Sequence, residues 1–293
     1  MAQNASGWIV DIHTHAFPDT IAARTVDKLQ RMSHTHPFTD GSVAALRASM
    51  DEAGIARSVV LPVATNTHQV PHVNDASIAM NERSESTGVL SFGCMHPDFS
   101  DWRTELSRLS AAGVKGIKVH PVYQAVAFDD PRFLRILDRC AELGLIVLTH
   151  AGRDIGIPAA VDYVSPAQIA SAVRQTDGAT LICAHMGGWR QWDDAERLLP
   201  ETGVYIDTSF SLGRMVANGD GYYRTPDDLA MLEPESFIRL VRAFGVGRVL
   251  FGTDSPWGGQ REALQQFRAL PLSEAEQTAI LGGNVARLLD LRR

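Results

Sequence analysis

The chain has 293 residues, of which 45% are hydrophobic and 21% charged, and its formal net charge is −7 at pH 7. This length and composition are typical of one large α/β domain or two small ones, and they exclude a disordered or fibrous chain. The acidic balance, without a basic patch, argues against a nucleic-acid partner, and no apolar stretch is long enough to span a membrane.

The first predicted strand, WIVDIHTH, ends in a group of titratable residues. Successive side chains alternate along a strand, so we expect Asp11, His13 and His15 to share one face. Such groups are costly on a buried face unless they have a partner, and a metal ion is a common partner. A polar strand end that caps a helix is the alternative interpretation of this segment.

Seven further short apolar runs follow along the chain. They are SVVLPVAT, VLSFGCMHP, GIKVHP, LIVLTHAG, TLICAHMGG, VYIDTSF and RVLFGTDSPW. Each run is rich in β-branched residues and almost continuously apolar. This pattern is typical of strands that are buried on both faces of a parallel sheet.

Amphipathic helical patterns separate these runs. DPRFLRILDRCAELG places Asp130 at the N-cap, Pro131 at the first helical position and Gly144 at the end. SPAQIASAVRQTDG repeats that order, and SEAE at 273–276 is a capping box that opens the last helix. Eight strands alternating with helices predict a (β/α)8 TIM barrel, an α/β fold, with residues 1–293 as a single domain. A doubly wound open sheet is the alternative, although no G-x-G-x-x-G motif follows the first strand.

Two connections between predicted strands are unusually long. One runs from Ala16 to about Ser42, after the first strand, and the other from Ser211 to about Glu233, after the seventh. Long loops that follow barrel strands usually cover the active site. We therefore expect the second loop to cover the site and to help select the substrate.

Polar residues lie at the carboxyl ends of most of the predicted strands. In chain order they are His13 and His15, Lys118 and His120, His150, His185, and Asp254. In a barrel these ends converge on one mouth, where active sites lie. A single buried histidine is more often a hydrogen-bonded core residue, but five metal-type ligands ending five buried strands are hard to explain in that way.

Six segments in order resemble the amidohydrolase superfamily. They are DIHTH, GIKVHP, LTHAG, AHMGG, FGTDSPW and ILGGNVARLL, and together they span nearly the whole chain. The resemblance is closest to the branch of short metal-dependent hydrolases that also includes aminocarboxymuconate-semialdehyde decarboxylase and related decarboxylases. It implies a TIM barrel that carries a divalent metal site at its mouth.

The resemblance also implies roles for individual residues. The residues expected to hold the first metal are His13, His15, His150 and Asp254. Zn²⁺, Mn²⁺ and Fe²⁺ all suit imidazole and carboxylate ligands, and a catalytic metal lowers the pKa of a bound water. Asp254 would also accept the proton of that water, and His185 would act as a general acid/base or bind a second metal. We therefore expect one or two metal ions per chain.

Lys118 has three possible roles. In binuclear members of the superfamily a lysine on the fourth strand is carboxylated and bridges two metals, and GIKV resembles that segment. An unmodified lysine would instead bind a substrate carboxylate or stabilise an oxyanion. The third interpretation is that Lys118 simply bonds to a neighbouring carboxylate.

Other polar residues are weaker candidates. His96 and His120 each precede a proline that ends a predicted strand, whereas Gln124, Arg153 and Trp189 follow strand ends and are candidates for substrate contacts. The loop histidines are expected at the surface: His34, His36, His68 and His72.

The main functional interpretation is a metal-dependent hydrolase that acts on an amide, lactone or ester of a small molecule. The alternative is a non-oxidative decarboxylase of a carboxylated small molecule. A nuclease is disfavoured by the net acidity, and a non-catalytic binding protein would be expected to lack a ligand. A homo-oligomer is compatible with the sequence.

The cysteines and the first residues predict the compartment. Cys94, Cys140 and Cys183 are far apart and lie among apolar residues, which is typical of reduced, buried thiols. The opening segment MAQNASGWIV has neither the basic nor the apolar region of a secretory leader. We therefore expect a cytoplasmic protein.

Overall fold

Nine short parallel strands form the centre of the protein. They are β1 Val10–Thr14, β2 Arg57–Val60, β3 Val89–Ser91, β4 Gly93–Cys94, β5 Gly116–Val119, β6 Ile146–Thr149, β7 Leu181–Cys183, β8 Tyr205–Asp207 and β9 Val249–Leu250. The computed structural model describes residues 8–157 and 161–291. Residues 1–7, on which the expectation about a leader mostly depends, lie outside the described residues.

The strands pair in sequence order, β1 to β3 and then β4 to β9. β3 and β4 are two pieces of the third predicted run, which is interrupted at Phe92, so the eight predicted strand positions are all present. The last strand returns to the first: the Ile12 amide donates to the Phe251 carbonyl at 2.9 Å, and the Asp254 amide to the His13 carbonyl at 2.8 Å. This closure confirms the (β/α)8 barrel and excludes the open sheet.

Helices surround the barrel. Their bounds are α1 Ala22–Ser33, α2 Val43–Ala53, α3 Gln69–Asn81, α4 Ser84–Thr87, α5 Trp102–Ala111, α6 Pro121–Gln124, α7 Pro131–Leu143, α8 Pro166–Gln175, α9 Trp192–Leu198, α10 Pro234–Phe244, α11 Gln260–Arg268, α12 Glu274–Thr278 and α13 Asn284–Leu289. The predicted caps are present: Asp130 accepts from the amide of Arg132, and SEAE forms a capping box between Ser273 and Glu276. None of the helices in the described ranges combines the length and apolar character that a membrane crossing needs.

The core has two layers. Val10, Leu148 and Leu250 belong to a cluster inside the barrel, whereas a larger cluster fills the space between the strands and the helices. Val285 and Leu289 of α13 belong to the inner cluster, so the last helix packs against the barrel interior. Cys94, Cys140 and Cys183 are buried and free, as the sequence predicts.

The expectation that Asp11, His13 and His15 share one face is wrong for Asp11. The register between β1 and β2 shifts between Asp11 and Thr14, and a strand irregularity of this kind reverses the alternation of side chains. Asp11 therefore accepts hydrogen bonds from Gln260 of α11, at 2.8 Å, and from the hydroxyl of Thr253, at 2.6 Å. Burial raises the pKa of Asp11 to about 7.

The two long connections also differ from their prediction. The first contains α1, whose buried residues include Val26, so it is an added helix rather than an extended loop. The second is fastened to it: the His36 amide donates to the carbonyl of Val216 at 2.8 Å, and the Tyr223 hydroxyl to that of Ser33 at 2.7 Å.

Candidate metal centre and active site

His13, His15 and Asp254 converge at the barrel mouth, and their side-chain atoms are close enough to hold one metal ion. Nε2 of His13 lies 3.2 Å and Nε2 of His15 3.1 Å from Oδ1 of Asp254. Asp254 follows β9 with a left-handed φ of 66°, and its amide bonds the carbonyl of His13. The seam that closes the barrel therefore positions all three side chains.

The contacts of the two Nδ1 atoms determine the tautomers of His13 and His15. Nδ1 of His15 lies 2.9 Å from the carbonyl oxygen of Leu61, which can only accept, so Nδ1 carries the proton. Nδ1 of His13 lies 2.8 Å from Oδ2 of Asp207, and an ionised carboxylate imposes the same tautomer. Both Nε2 atoms therefore direct a lone pair at Asp254.

His150 and His185 face each other beside this group. His150 donates from Nε2 to the carbonyl of Arg153 at 3.1 Å, and His185 from Nδ1 to that of Ser209 at 3.0 Å. The remaining nitrogens, Nδ1 of His150 and Nε2 of His185, are 3.2 Å apart and both are acceptors. Burial lowers the pKa of both imidazoles, which favours the neutral forms.

The centre thus contains five acceptor atoms and few donors. Buried acceptors that face one another are costly unless a cation lies between them. Imidazole nitrogens together with a carboxylate oxygen are ligands for Zn²⁺, Mn²⁺ or Fe²⁺, so the residues fit a divalent metal. Burial alone would raise the pKa of Asp254, but the contact with Nε2 of His15 and the nearby rings of His13 and His185 lower it to about 2.

Lys118 is the cation nearest to these acceptors. It lies on β5 and is only 1% exposed, and its Nζ is 3.5 Å from Nε2 of His13. Burial lowers its pKa to about 8, although the carboxylates of Asp207 and Asp254 act in the opposite direction. These two carboxylates are among the groups that stabilise the ammonium form of an unmodified Lys118.

Asp207 is a site residue that the sequence analysis missed. Its two oxygens accept from Nδ1 of His13, from the amides of His185 and Ser209, and from the Ser209 hydroxyl. The sequence contained a signal for it, because Asp207 directly follows the apolar residues of the run VYIDTSF and ends β8. It orients His13 and holds the backbone of His185.

His120 and Asp154 form a polar pair beside His150. The His120 ring stacks on His150 with centroids 4.3 Å apart, and its Nε2 lies 3.5 Å from Oδ2 of Asp154. Burial raises the pKa of Asp154 to about 6. The His120 ring of this pair packs against the ring of His150.

Some weaker candidates have structural roles. Gln124 donates to the carbonyls of Ala64 and Met95, so it ties loops together and is not available to a substrate. His96 is buried, and its ring accepts from the amide of Asp98 as a strand-end cap. The loop histidines His36, His68 and His72 are exposed as expected, whereas His34 is half-buried against Asp220.

A cavity of about 1050 Å³ opens over the centre. Its lining includes the metal-type ligands together with Lys118, Tyr123, Arg153 and Trp189. Apolar side chains of the first long connection, such as Phe17 and Met32, form much of another wall. None of residues 211–233 lines the cavity, although the loop contacts Ser33 and Thr35, which do. The prediction that this loop covers the active site directly is therefore wrong.

Shortening that loop is nevertheless expected to alter substrate selection, because it holds Ser33 and Thr35 at the cavity edge. A variant in which a short glycine linker replaces 217–223 should change the relative kcat/KM of two substrates by about 10-fold or more, with metal content unchanged. Identical relative rates across a substrate panel would contradict this prediction.

Substitution of His185 separates its two predicted roles. His185→Asn should lower turnover by at least about 100-fold, the lower range for general acid/base catalysis. Unchanged metal content would then indicate proton transfer, and the loss of one ion would indicate a second metal site. Turnover and metal content equal to those of the wild type would contradict both roles.

Comparison with solved structures shows the same fold over the whole chain. 5-Carboxyvanillate decarboxylase from Sphingomonas paucimobilis matches with 16% identity and a TM-score of 0.65, covering 98% of this chain and 100% of that one. A dihydroxybenzoic acid decarboxylase from a Polaromonas species, with bound manganese and the inhibitor 2-nitroresorcinol, matches with 15% identity, a TM-score of 0.64 and 98% of each chain.

Hydrolases share the fold as well. A probable 2-pyrone-4,6-dicarboxylic acid hydrolase from Acinetobacter baumannii with bound citric acid matches with 17% identity and a TM-score of 0.63, covering 97% of this chain and 99% of that one. A search of curated proteins returned no match. The family model described as amidohydrolase matches residues 10–291, and the chain therefore belongs to the amidohydrolase family.

Proposed function

We propose that the protein is a metal-dependent, non-oxidative decarboxylase of a small carboxylated aromatic molecule. The observation that carries the proposal is the combination of a buried cation, Lys118, with a metal-type ligand group at the floor of a cavity that is largely apolar. The two decarboxylases among the compared structures support this choice over the hydrolase that we predicted first.

In this proposal some site residues bind the substrate and another transfers a proton. A divalent ion held by His13, His15 and Asp254 would attract the substrate carboxylate as a Lewis acid. Lys118 would bind a carboxylate oxygen, and the apolar wall would hold the ring. When the bond to the carboxylate breaks, its electron pair stays on the ring carbon. His185 would first take up a proton from water at its inward Nε2 and would then deliver that proton to this carbon.

The test is a substrate panel with the metal-loaded protein. Hydroxybenzoates and other aromatic acids should release CO₂, and in D₂O the product should carry deuterium at the carbon that lost the carboxylate. Lactones, esters and amides form the second arm of the panel. Hydrolysis of any of these, without CO₂ release from any acid, would contradict the proposal.

A binuclear hydrolase is the second candidate, because one specific observation favours it. The facing acceptors of His150 and His185 offer a second cation position next to the first. Lys118 lies near both groups and would bridge two ions if CO₂ converted it to a carbamate, which removes its positive charge.

Lys118→Ala distinguishes the two candidates. In the binuclear case the wild type should hold about two metal ions per chain and show the added mass of one CO₂, and the variant should lose the second ion and regain activity with a short added carboxylate. In the mononuclear case metal content should stay near one ion, and the variant should bind acids more weakly. One metal ion together with an unmodified lysine would exclude the binuclear hydrolase.

A further inference from the structure

The cavity over the metal centre continues well beyond it. Its volume of about 1050 Å³ is at the upper end of the roughly 300–1,000 Å³ that encloses a drug-sized ligand. An acid with a single ring, bound beside His13, His15 and Lys118, would therefore leave much of the cavity unfilled. Helices α1 and α3 line a large part of the remainder. The space bounded by 21–32 of α1 and 69–80 of α3 is the α1–α3 groove.

One face of α3 lines this groove along most of the helix. Gln69, Val73, Ala76 and Met80 recur at spacings of three and four residues, so their side chains share a face that is about 16 Å long. Helix α3 follows β2 and runs from the barrel mouth towards the opposite end. Val89, which begins β3 at that opposite end, also lines the cavity, so the groove leads from the mouth along the outside of the barrel.

Helix α1 provides a second apolar wall. Ile21, Leu29 and Met32 line the cavity, and none of the three belongs to either cluster of the core. The buried residues of α1, such as Ala22 and Val26, lie on its other face. No hydrogen bond or ion pair joins α1 to α3 within 8–157. Apolar side chains that face open space in this way are typical of a binding groove.

The groove and the metal centre are adjacent parts of one cavity. A Cβ on Gly156 would lie 3.9 Å from Cβ of Met32 and 3.8 Å from the hydroxyl of Tyr123. The Tyr123 ring stacks on His120 with centroids 3.8 Å apart, and His120 stacks in turn on His150 at 4.3 Å. A ligand with one end at the centre can therefore extend past Met32 into the groove.

The charges along α1 favour an acidic ligand. Asp27, the acid of this helix, pairs with Arg31 at 2.8 Å. Arg24 and Lys28 line the cavity, are exposed, and form no ion pair in the described part of the chain. Their apolar stems can cover a ligand while the charged ends stay in water. Because the groove is apolar inside and basic at this edge, it suits a molecule that combines an apolar tail with negative charge.

We propose that the α1–α3 groove binds an extended apolar tail of the substrate, so that the substrate is an acid with an alkyl or acyl chain. The tail lies between Leu29 of α1 and Val73 of α3. The carboxylate lies at Lys118 and the candidate metal centre, and this placement rests on the proposed function. The groove itself depends only on the two helix faces and on their continuity with the cavity.

Direct binding tests the groove without catalysis. Isothermal titration of the metal-loaded protein compares benzoate with 3-hexylbenzoate and 4-hexylbenzoate, which carry the tail in two directions. Each fully buried methylene strengthens binding about fourfold. Since the groove is partly open, we expect the better hexyl derivative to bind at least about 10-fold more tightly than benzoate. Equal affinity of the three acids would overturn the proposal.

Variants on both helices locate the tail. Ala76→Trp fills the groove from α3, and Leu29→Asp places a charge on the wall formed by α1. Ala76 is exposed, and neither residue belongs to a core cluster, so both variants should fold. Each should weaken the better hexyl derivative at least about fivefold and leave benzoate within about twofold. If circular dichroism shows that Ala76→Trp is misfolded, Ala76→Asp provides the same test.

Ala23 offers matched controls on α1. It is exposed and does not line the cavity, so Ala23→Trp and Ala23→Asp should change the affinity of neither acid by more than about twofold. A preference for the hexyl derivative that is as strong in Ala76→Trp and Leu29→Asp as in these controls would overturn the groove, because the tail would then bind elsewhere.

The outcomes separate this inference from the proposed function. A preference for a hexyl derivative that falls in the groove variants supports the groove even if no acid releases CO₂, a result that would contradict only the proposed reaction. Release of CO₂ from single-ring acids, together with equal affinity for acids with and without a tail, would overturn the groove while the proposed reaction would stand.

Discussion

Asp254→Ala is expected to remove the bound divalent metal and to reduce turnover by more than about 100-fold. Groups that merely orient a metal ligand are worth about 10- to 100-fold, and Asp254 contacts both His13 and His15 directly. The variant also removes the negative charge that faces the inward lone pairs of those histidines. Metal content by atomic emission and turnover of the best panel substrate measure the two effects.

The control for this prediction is a carboxylate outside the centre. Asp193 is almost fully exposed, and Asp193→Ala should retain wild-type metal content and turnover. A His13→Ala/His15→Ala double variant should match Asp254→Ala in its loss of metal. Full metal occupancy in either ligand variant would show that the metal binds elsewhere.

Asp207→Ala is expected to destabilise the fold and the centre together. Four donors converge on this buried carboxylate, and each donor left unsatisfied costs about 1–3 kcal/mol. We expect the free energy of unfolding to fall by at least about 3 kcal/mol, and metal affinity to fall about 10- to 100-fold because His13 loses its orientation. Denaturant unfolding and metal titration measure the two quantities.

Asp207→Asn tests whether the negative charge of Asp207 or its hydrogen-bond geometry is responsible for the stability. It keeps one acceptor oxygen but turns an N–H₂ towards a donor, so we expect an intermediate loss of stability. Asp51→Ala, at an exposed position of α2, is the control and should change the free energy of unfolding by less than about 0.5 kcal/mol. Wild-type stability and metal affinity in Asp207→Ala would contradict the role inferred for this residue.

The barrel could be predicted because its signals are local and repeated. Apolar runs recur eight times along the chain, several of the helices between them have an N-cap or a terminal glycine, and each of these signals is set by residues close in sequence. The reversal at Asp11 could not be predicted, since it depends on the register between β1 and β2. The interruption at Phe92 and the helical character of α1 also depend on packing against distant elements.

The part of the candidate site that follows from the strand topology could be predicted from the sequence. Parallel strands bring their carboxyl ends together, so His13, His15 and Asp254 follow from the fold alone. The pairing of His150 with His185 depends on which ring nitrogen each backbone carbonyl engages, and no sequence pattern encodes that choice.

The seam between β1 and β9 has a consequence for synthesis on the ribosome. His15 and Asp254 approach within 3.1 Å although they are 239 positions apart, so the centre joins a side chain of the first strand to one that follows the last strand. A nascent chain that ends before Asp254 carries two imidazoles without their carboxylate and exposes an open sheet edge. The affinity for a divalent ion would therefore appear only when the last strand docks, and metal uptake would report closure of the barrel.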